Sequence, residues 1–160
     1  MKLLLATRSD WALTLIRVSM GLVMFPHGAQ KALGWFGGAG FSGTMELFTQ
    51  KMGIPAPLAF MAIAAEFLGS LGLIFGGLTR VAAFGLLSTM LVAAFKVALP
   101  NGFFMNWFGN QKGEGLEFFI LTFGLTLVSL VFGGGALSLD RWALRERKPS
   151  GSTAPIALAS

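Results

Sequence analysis

Cysteine is missing from all 160 residues, tyrosine is missing too, and histidine occurs once. Without cysteine the chain has no thiol–disulfide chemistry, no iron–sulfur ligation and no Cys-rich zinc site of its own. One histidine cannot supply two axial haem ligands. Charge is also scarce: Asp, Glu, Lys and Arg make up 12% of the chain, against roughly 25% in a soluble domain. Apolar residues fill the space, at 54% of the chain and a mean hydropathy of +0.72. That composition describes an integral membrane protein, and the length suits one domain. The 22 glycines suit close helix packing in lipid. The net charge of +5 comes from basic residues set mostly at loops and termini. It reads as membrane topology, with no nucleic-acid-binding patch.

The first long apolar run, residues 11–33, is enough to cross a bilayer, which takes about 20 residues. It nevertheless carries Arg17, His27 and Lys31. At helical periodicity Arg17, Met20, Gly21, Met24, His27, Gly28 and Lys31 share one side. Charge facing lipid costs a few kcal/mol or more, so this stripe must face partners. The preceding MKLLLATRSD resembles the start of a signal peptide, but Asp10 interrupts it and no small-residue cleavage pattern follows. A retained first helix is expected.

Next comes a Gly-rich stretch, then a short amphipathic segment at 43–52, where Ser42 can cap the start and Gly53 and Pro55 end it. This predicts an interfacial helix on the periplasmic side. Further spans are predicted at about 57–78 with Glu66 near the middle, at 81–99 with Lys96 near the end, and at 116–133 with Glu117 at the start. A tight turn is expected at Thr79–Arg80. The fold expected is an all-α, four-helix membrane bundle over residues 1–148. The small, polar residues 149–160 are expected to form a disordered cytoplasmic tail.

Four spans put both termini on one side, together with Lys2, Arg8, Arg80, Arg141, Arg145, Arg147 and Lys148. The positive-inside rule makes that side cytoplasmic. Trp11 and Trp142 then fall at the inner interface, and Trp35 and Trp107 at the outer one. The halves also echo each other. Arg17 and Arg80 open similar strings, Lys31 matches Lys96, Glu66-Phe-Leu matches Glu117-Phe-Phe, and Phe75-Gly-Gly matches Phe132-Gly-Gly. This reads as a duplicated helical hairpin.

The ionisable groups inside the spans are the candidate site. Arg17 and Glu66 are expected to form a buried ion pair that fixes helix register. Glu66, so deep in its span, also has the character of a proton-relay carboxylate. His27, Lys31, Lys96 and Glu117 cluster near the outer ends of their spans. Pro26 frees a backbone carbonyl one turn back and helps to shape a pocket. A histidine beside a carboxylate can exchange protons near neutral pH, or hydrogen-bond a quinone carbonyl. The candidate catalytic residues are therefore His27, Glu66 and Glu117, and the candidate ligand-binding residues are Arg17, His27, Lys31, Glu66, Lys96 and Glu117. The blander reading has His27 bonded to a backbone carbonyl and the lysines snorkelling to the interface. No spacing argues for a metal. Met20, Met24 and Met45 read as packing and not as a copper path. The GGAG and GGGA glycines follow no strand, so they signal no dinucleotide fold.

Taken in order, Arg17, His27-Gly28-x-x-Lys31, Gly53-Ile-Pro55, Glu66 with Gly69, Gly77-Leu-Thr-Arg80, Gly102-Phe, Glu117 and Ser138-Leu-Asp140 resemble the DoxX family of small four-helix bacterial membrane proteins. The resemblance runs from about residue 11 to residue 140. It implies a membrane subunit linked to quinone-dependent oxidoreductases acting on sulfur compounds, or to oxidative-stress complexes. It also assigns the family's Arg, His, Lys and Glu positions to Arg17, His27, Lys31, Glu66 and Glu117. The function expected is a redox-associated inner-membrane subunit with a quinone or similar ligand among spans one, two and four. Its implied partners are the bilayer and a soluble or membrane redox protein. The alternative is a non-enzymatic small transporter or a scaffold for a partner protein. Whether the chain is itself an enzyme, and whether it forms an oligomer, the sequence leaves open.

Overall fold

The computed structural model describes residues 2–146; the predicted tail at 149–160 lies outside the described residues. A short helix α1 (Lys2–Leu5) precedes α2 (Trp11–Leu33). Then follow α3 (Gly40–Glu46), α4 (Ala56–Phe75), α5 (Thr79–Ala93), α6 (Glu117–Phe132) and α7 (Leu139–Glu146). Helices α2, α4, α5 and α6 form the bundle. Each packs on its neighbour in the chain, and α6 closes the ring against α2. The ends of the bundle differ. One, here the base, carries α1, α7 and the α4–α5 turn; the other, the crown, carries α3 and the 102–116 loop.

Local chemistry sets the helix limits. Asp10 caps α2 by accepting the Ala12 N–H at 2.8 Å, and Gly34 ends it in the left-handed conformation. Pro55 starts α4, and Gly76, with φ of 69°, stops it. The α4–α5 turn thus falls at Gly76–Leu78, ahead of the expected Thr79–Arg80, and both of those residues are already in α5. Two glycines in succession release the helix earlier than the hydropathy does. Helix α5 runs on through a wide turn at Ala94–Ala98 and a tight one at Leu99–Asn101. Helix α3 begins at Gly40, before the expected Ser42 cap, and winds through a wide turn at Leu47–Lys51 up to the Gly53 stop.

Three helices, Trp11–Leu33, Ala56–Phe75 and Thr79–Asn101, are long and apolar enough to cross a membrane. Helix α6 is equally apolar but has 16 residues. It reaches about 24 Å, against a hydrocarbon core of about 30 Å. The outward faces bear Leu15, Leu22, Phe60, Met61, Leu68, Phe84, Phe95 and Leu121, all exposed. A continuous apolar exterior of this kind marks a surface solvated by lipid. All four tryptophans are exposed as well. Inside, Met20, Met24, Leu73, Ala83, Leu86 and Met90 form the core, with Phe118, Phe119 and Phe123 packed against it. The buried Thr122, Thr126 and Ser129 of α6 return their hydroxyls to carbonyls of their own helix. The fold is an all-α membrane bundle.

Candidate functional site

Glycine brings α2 against α4. A Cβ on Gly28 would stand 2.6 Å from Phe67 Cα and 2.8 Å from the Glu66 carbonyl carbon. A Cβ on Gly21 would meet the Ser70 carbonyl oxygen at 2.9 Å. Only hydrogen fits at either position, so the two backbones run nearly in contact. This approach sets Lys31, three residues beyond Gly28, above the Glu66 turn of α4. Lys31 Nζ donates to Glu66 Oε2 at 2.6 Å, and the two side chains are 27% and 3% exposed. A charge-assisted bond of this length in a low-dielectric site is strong, and removing one partner strands the other.

The expected Arg17–Glu66 pair does not form. Arg17 is 1% exposed, and its guanidinium is given over to backbone carbonyls. Nε donates to Gly134 at 2.9 Å, Nη1 to Leu73 and, at 2.8 Å, to Ile74, and Nη2 to Leu137. The left-handed stop at Gly76 leaves the last carbonyls of α4 without intrahelical donors. Arg17 supplies them, and its positive charge sits at the negative end of the helix dipole. Those bonds hold Arg17 at the base of the bundle, away from Lys31. Its guanidinium is engaged by the fold and is not presented to a ligand.

Arg80 repeats the device. Its Nε donates to Ala6 at 3.1 Å, Nη1 to Leu130 at 3.0 Å and Nη2 to Val131 at 2.8 Å, so it holds the C-terminal carbonyls of α6. Sequence reasoning read Arg80 as a topology charge and a match to Arg17; its clamp role has the same logic, signalled by Phe75-Gly-Gly and Phe132-Gly-Gly. Asp140, 3% exposed, was missed as a structural residue. Its carboxylate accepts the N–H groups of Leu78 at 2.7 Å and Thr79 at 2.8 Å, capping α5 from α7. Leu78 has a φ of 49°, and this clamp holds it there.

His27 lies one turn before Lys31, exposed, at the seam between α2 and α6. Its ring stands 6.1 Å from that of Phe118. Among the described residues its nitrogens have no hydrogen-bond partner. Glu117, the residue before Phe118, accepts the Met105 N–H at 3.1 Å, and its own N–H donates to the Phe103 carbonyl at 2.8 Å. Glu114 accepts the Asn106 N–H at 2.7 Å. These two carboxylates pin the 102–116 loop over the crown. Lys96 is exposed on the continuation of α5 and lies outside the Lys31–Glu66 pair. The structure thus joins Lys31 to Glu66 and puts His27 one turn away. It ties Glu117 to the crown loop and leaves Arg17 and Lys96 elsewhere. Among the described residues, no three His, Cys, Asp or Glu side chains converge as a metal site.

Comparison with known proteins agrees with this architecture. The DoxX family model matches residues 12–99, more than half of the chain, a stretch that includes Arg17, His27, Lys31 and Glu66. A Bacillus subtilis (strain 168) protein named "Putative oxidoreductase CatD" is 28% identical over 135 residues, covering 84% of this chain and 88% of its own. The "Inner membrane protein YqjF" of Escherichia coli (strain K12) is 30% identical over 113 residues, covering 68% of this chain and 78% of its own. No solved structure matches the chain. On the extent of the family match and the coverage of both relatives, the chain belongs to the DoxX family.

Proposed function

We propose that the chain is an inner-membrane subunit of a quinone-linked oxidoreductase, with the quinone ring held at the α2–α6 seam beside the Lys31–Glu66 pair. The observation that carries the reading is a histidine without a hydrogen-bond partner among the described residues, tilted beside an aromatic ring at 6.1 Å and one turn from a buried ion pair. A quinone, when bound, supplies a carrier for two electrons and two protons. The seam fits its headgroup: His27 can donate to a carbonyl oxygen, and the Phe118 face can receive a flat ring. His27 is exposed on the outside of the bundle, so a long apolar tail would lie in lipid.

The residues divide the work. Glu66 fixes the Lys31 ammonium, and the partly exposed Lys31 adds positive potential beside the seam, favouring developing negative charge. His27 moves the proton, since imidazole alone among these groups ordinarily titrates near neutral pH. Glu117, adjacent to Phe118, is the carboxylate we assign as its proton partner. A redox partner protein passes the electrons. The name of the Bacillus subtilis relative supports the redox reading, and that of the Escherichia coli relative supports the inner membrane. The concentration of Arg and Lys at the base supports termini in the cytoplasm.

The test is His27→Gln, which keeps hydrogen-bonding capacity but cannot titrate. We expect the melting temperature to stay unchanged and quinone turnover with a redox partner to fall about 100-fold, at the low end of general acid–base contributions. Full turnover with a lowered melting temperature would make His27 structural.

A further inference from the structure

Away from this seam, at the base, the protein has two adjoining surface grooves. The smaller, about 190 Å³, is lined by Thr7, Arg8, Arg80 and Phe132 among others. The larger, about 620 Å³, is lined by Arg80 together with Leu3, Leu4, Val81, Phe84 and Leu130. Arg80 and Val131 belong to both, so a cationic recess opens directly onto an apolar trough on the lipid-facing side. Among the described residues, no carboxylate side chain lines either groove. Arg8 is exposed and lies over the Phe132 ring, 5.4 Å from its centre. Arg80 gives one N–H from each of its three nitrogens to Ala6, Leu130 and Val131. A guanidinium has five, so two remain. The carbonyl bonds hold that fork still, and a ligand need not pay to order it.

We infer that this double groove binds an anionic phospholipid, with the headgroup phosphate between Arg8 and Arg80 and an acyl chain along Val81, Phe84 and Leu130. Charge decides the head: two arginines without a carboxylate call for an anion, and Arg binds phosphate oxygens in a fork. The trough decides the tail, since it leads from the cationic recess along Leu3, Leu4, Val81 and Phe84, where a small free anion would make no contact. A neutral quinone would leave both arginines unanswered. The bound lipid would also brace α1 against the α5–α6 pair, because residues of all three line the groove.

The experiment is native mass spectrometry of the full chain in detergent. It is titrated with phosphatidylglycerol, or with phosphatidylcholine carrying the same acyl chains. The first phosphatidylglycerol should bind at least about fivefold more tightly than phosphatidylcholine, the factor expected from one interfacial basic residue. Arg8→Gln should remove that preference. Arg141→Gln, which removes a charge at the same end but outside the groove, should keep it. An equal loss in both variants would mean diffuse attraction and would overturn the site. So would displacement of the lipid by millimolar inorganic phosphate or by a short-chain quinone. Because Arg8 is exposed and makes no side-chain hydrogen bond among the described residues, its variant should keep the wild-type melting temperature.

Discussion

Arg17 and Lys31 stand on one stripe of α2, yet the fold uses them in opposite ways. Arg17 serves four backbone carbonyls, whereas Lys31 serves one carboxylate. The stripe itself was legible from periodicity, as was the need for buried partners. The partners were not, because backbone carbonyls lack intrahelical N–H donors only near a helix end, and a sequence does not display where that end falls. The two glycines after Phe75 were the available hint. A pair of mutant cycles separates the cases. Arg17→Ala should destabilise the bundle strongly, since each buried carbonyl left unpaired costs about 1–3 kcal/mol. Adding Glu66→Leu should recover nothing. Lys31→Met should also destabilise, by stranding Glu66, but here Glu66→Leu should restore most of the loss. Unfolding of the purified variants in mixed detergent measures both, and rescue of Arg17→Ala by Glu66→Leu would reinstate the discarded pair.

Among the elements, α2 and α4 determine the site because their backbones nearly touch. Gly28→Leu should drive them apart at Phe67, lower the melting temperature, and lengthen the Lys31–Glu66 contact. The distance between spin labels at the exposed Leu22 of α2 and Leu68 of α4, before and after the change, would register the separation; an unaltered distance would show that the interface yields without opening. Spans of roughly the right place could be read from hydropathy, since long apolar runs bounded by glycine and proline have few other meanings. The duplicated hairpin was legible only in part. Arg17 and Arg80 both clamp the carbonyls before a Phe-Gly-Gly stop. Yet the alignment that matches Phe75 with Phe132 sets Phe123, not Glu117, opposite Glu66. Glu117 sits at the first residue of α6 and answers to the crown loop, so the Glu-Phe echo is coincidental in structural terms. The shortness of α6 was hidden because Leu116 and Gly133 extend its apolar run without joining its helix.

For the molecule as a whole, a lipid-facing exterior encloses a methionine- and leucine-rich core, with Arg17 clamped at the base and the Lys31–Glu66 pair toward the crown, where His27 is exposed. The orientation we propose sets α3 in the periplasm. A cysteine placed at the exposed Ser42 should then react with an impermeant thiol reagent in intact spheroplasts, and reaction only after lysis would reverse the topology. Family and bundle were readable because they rest on ordered motifs and hydropathy. The grouping of His27 with the start of span four was readable from depth along the spans, but its neighbour there, Phe118, was not, because that contact depends on where α6 begins relative to His27. The role of the seam can be probed most directly with a photoactivatable azido-quinone, applied to the membrane-embedded protein and mapped by peptide mass spectrometry. The account predicts label on the peptides that carry His27 and Phe118, suppressed by excess unlabelled quinone and sharply reduced in His27→Gln. Label confined to the Arg80 groove or spread over the lipid-facing surface, or unaffected by the competitor, would contradict it.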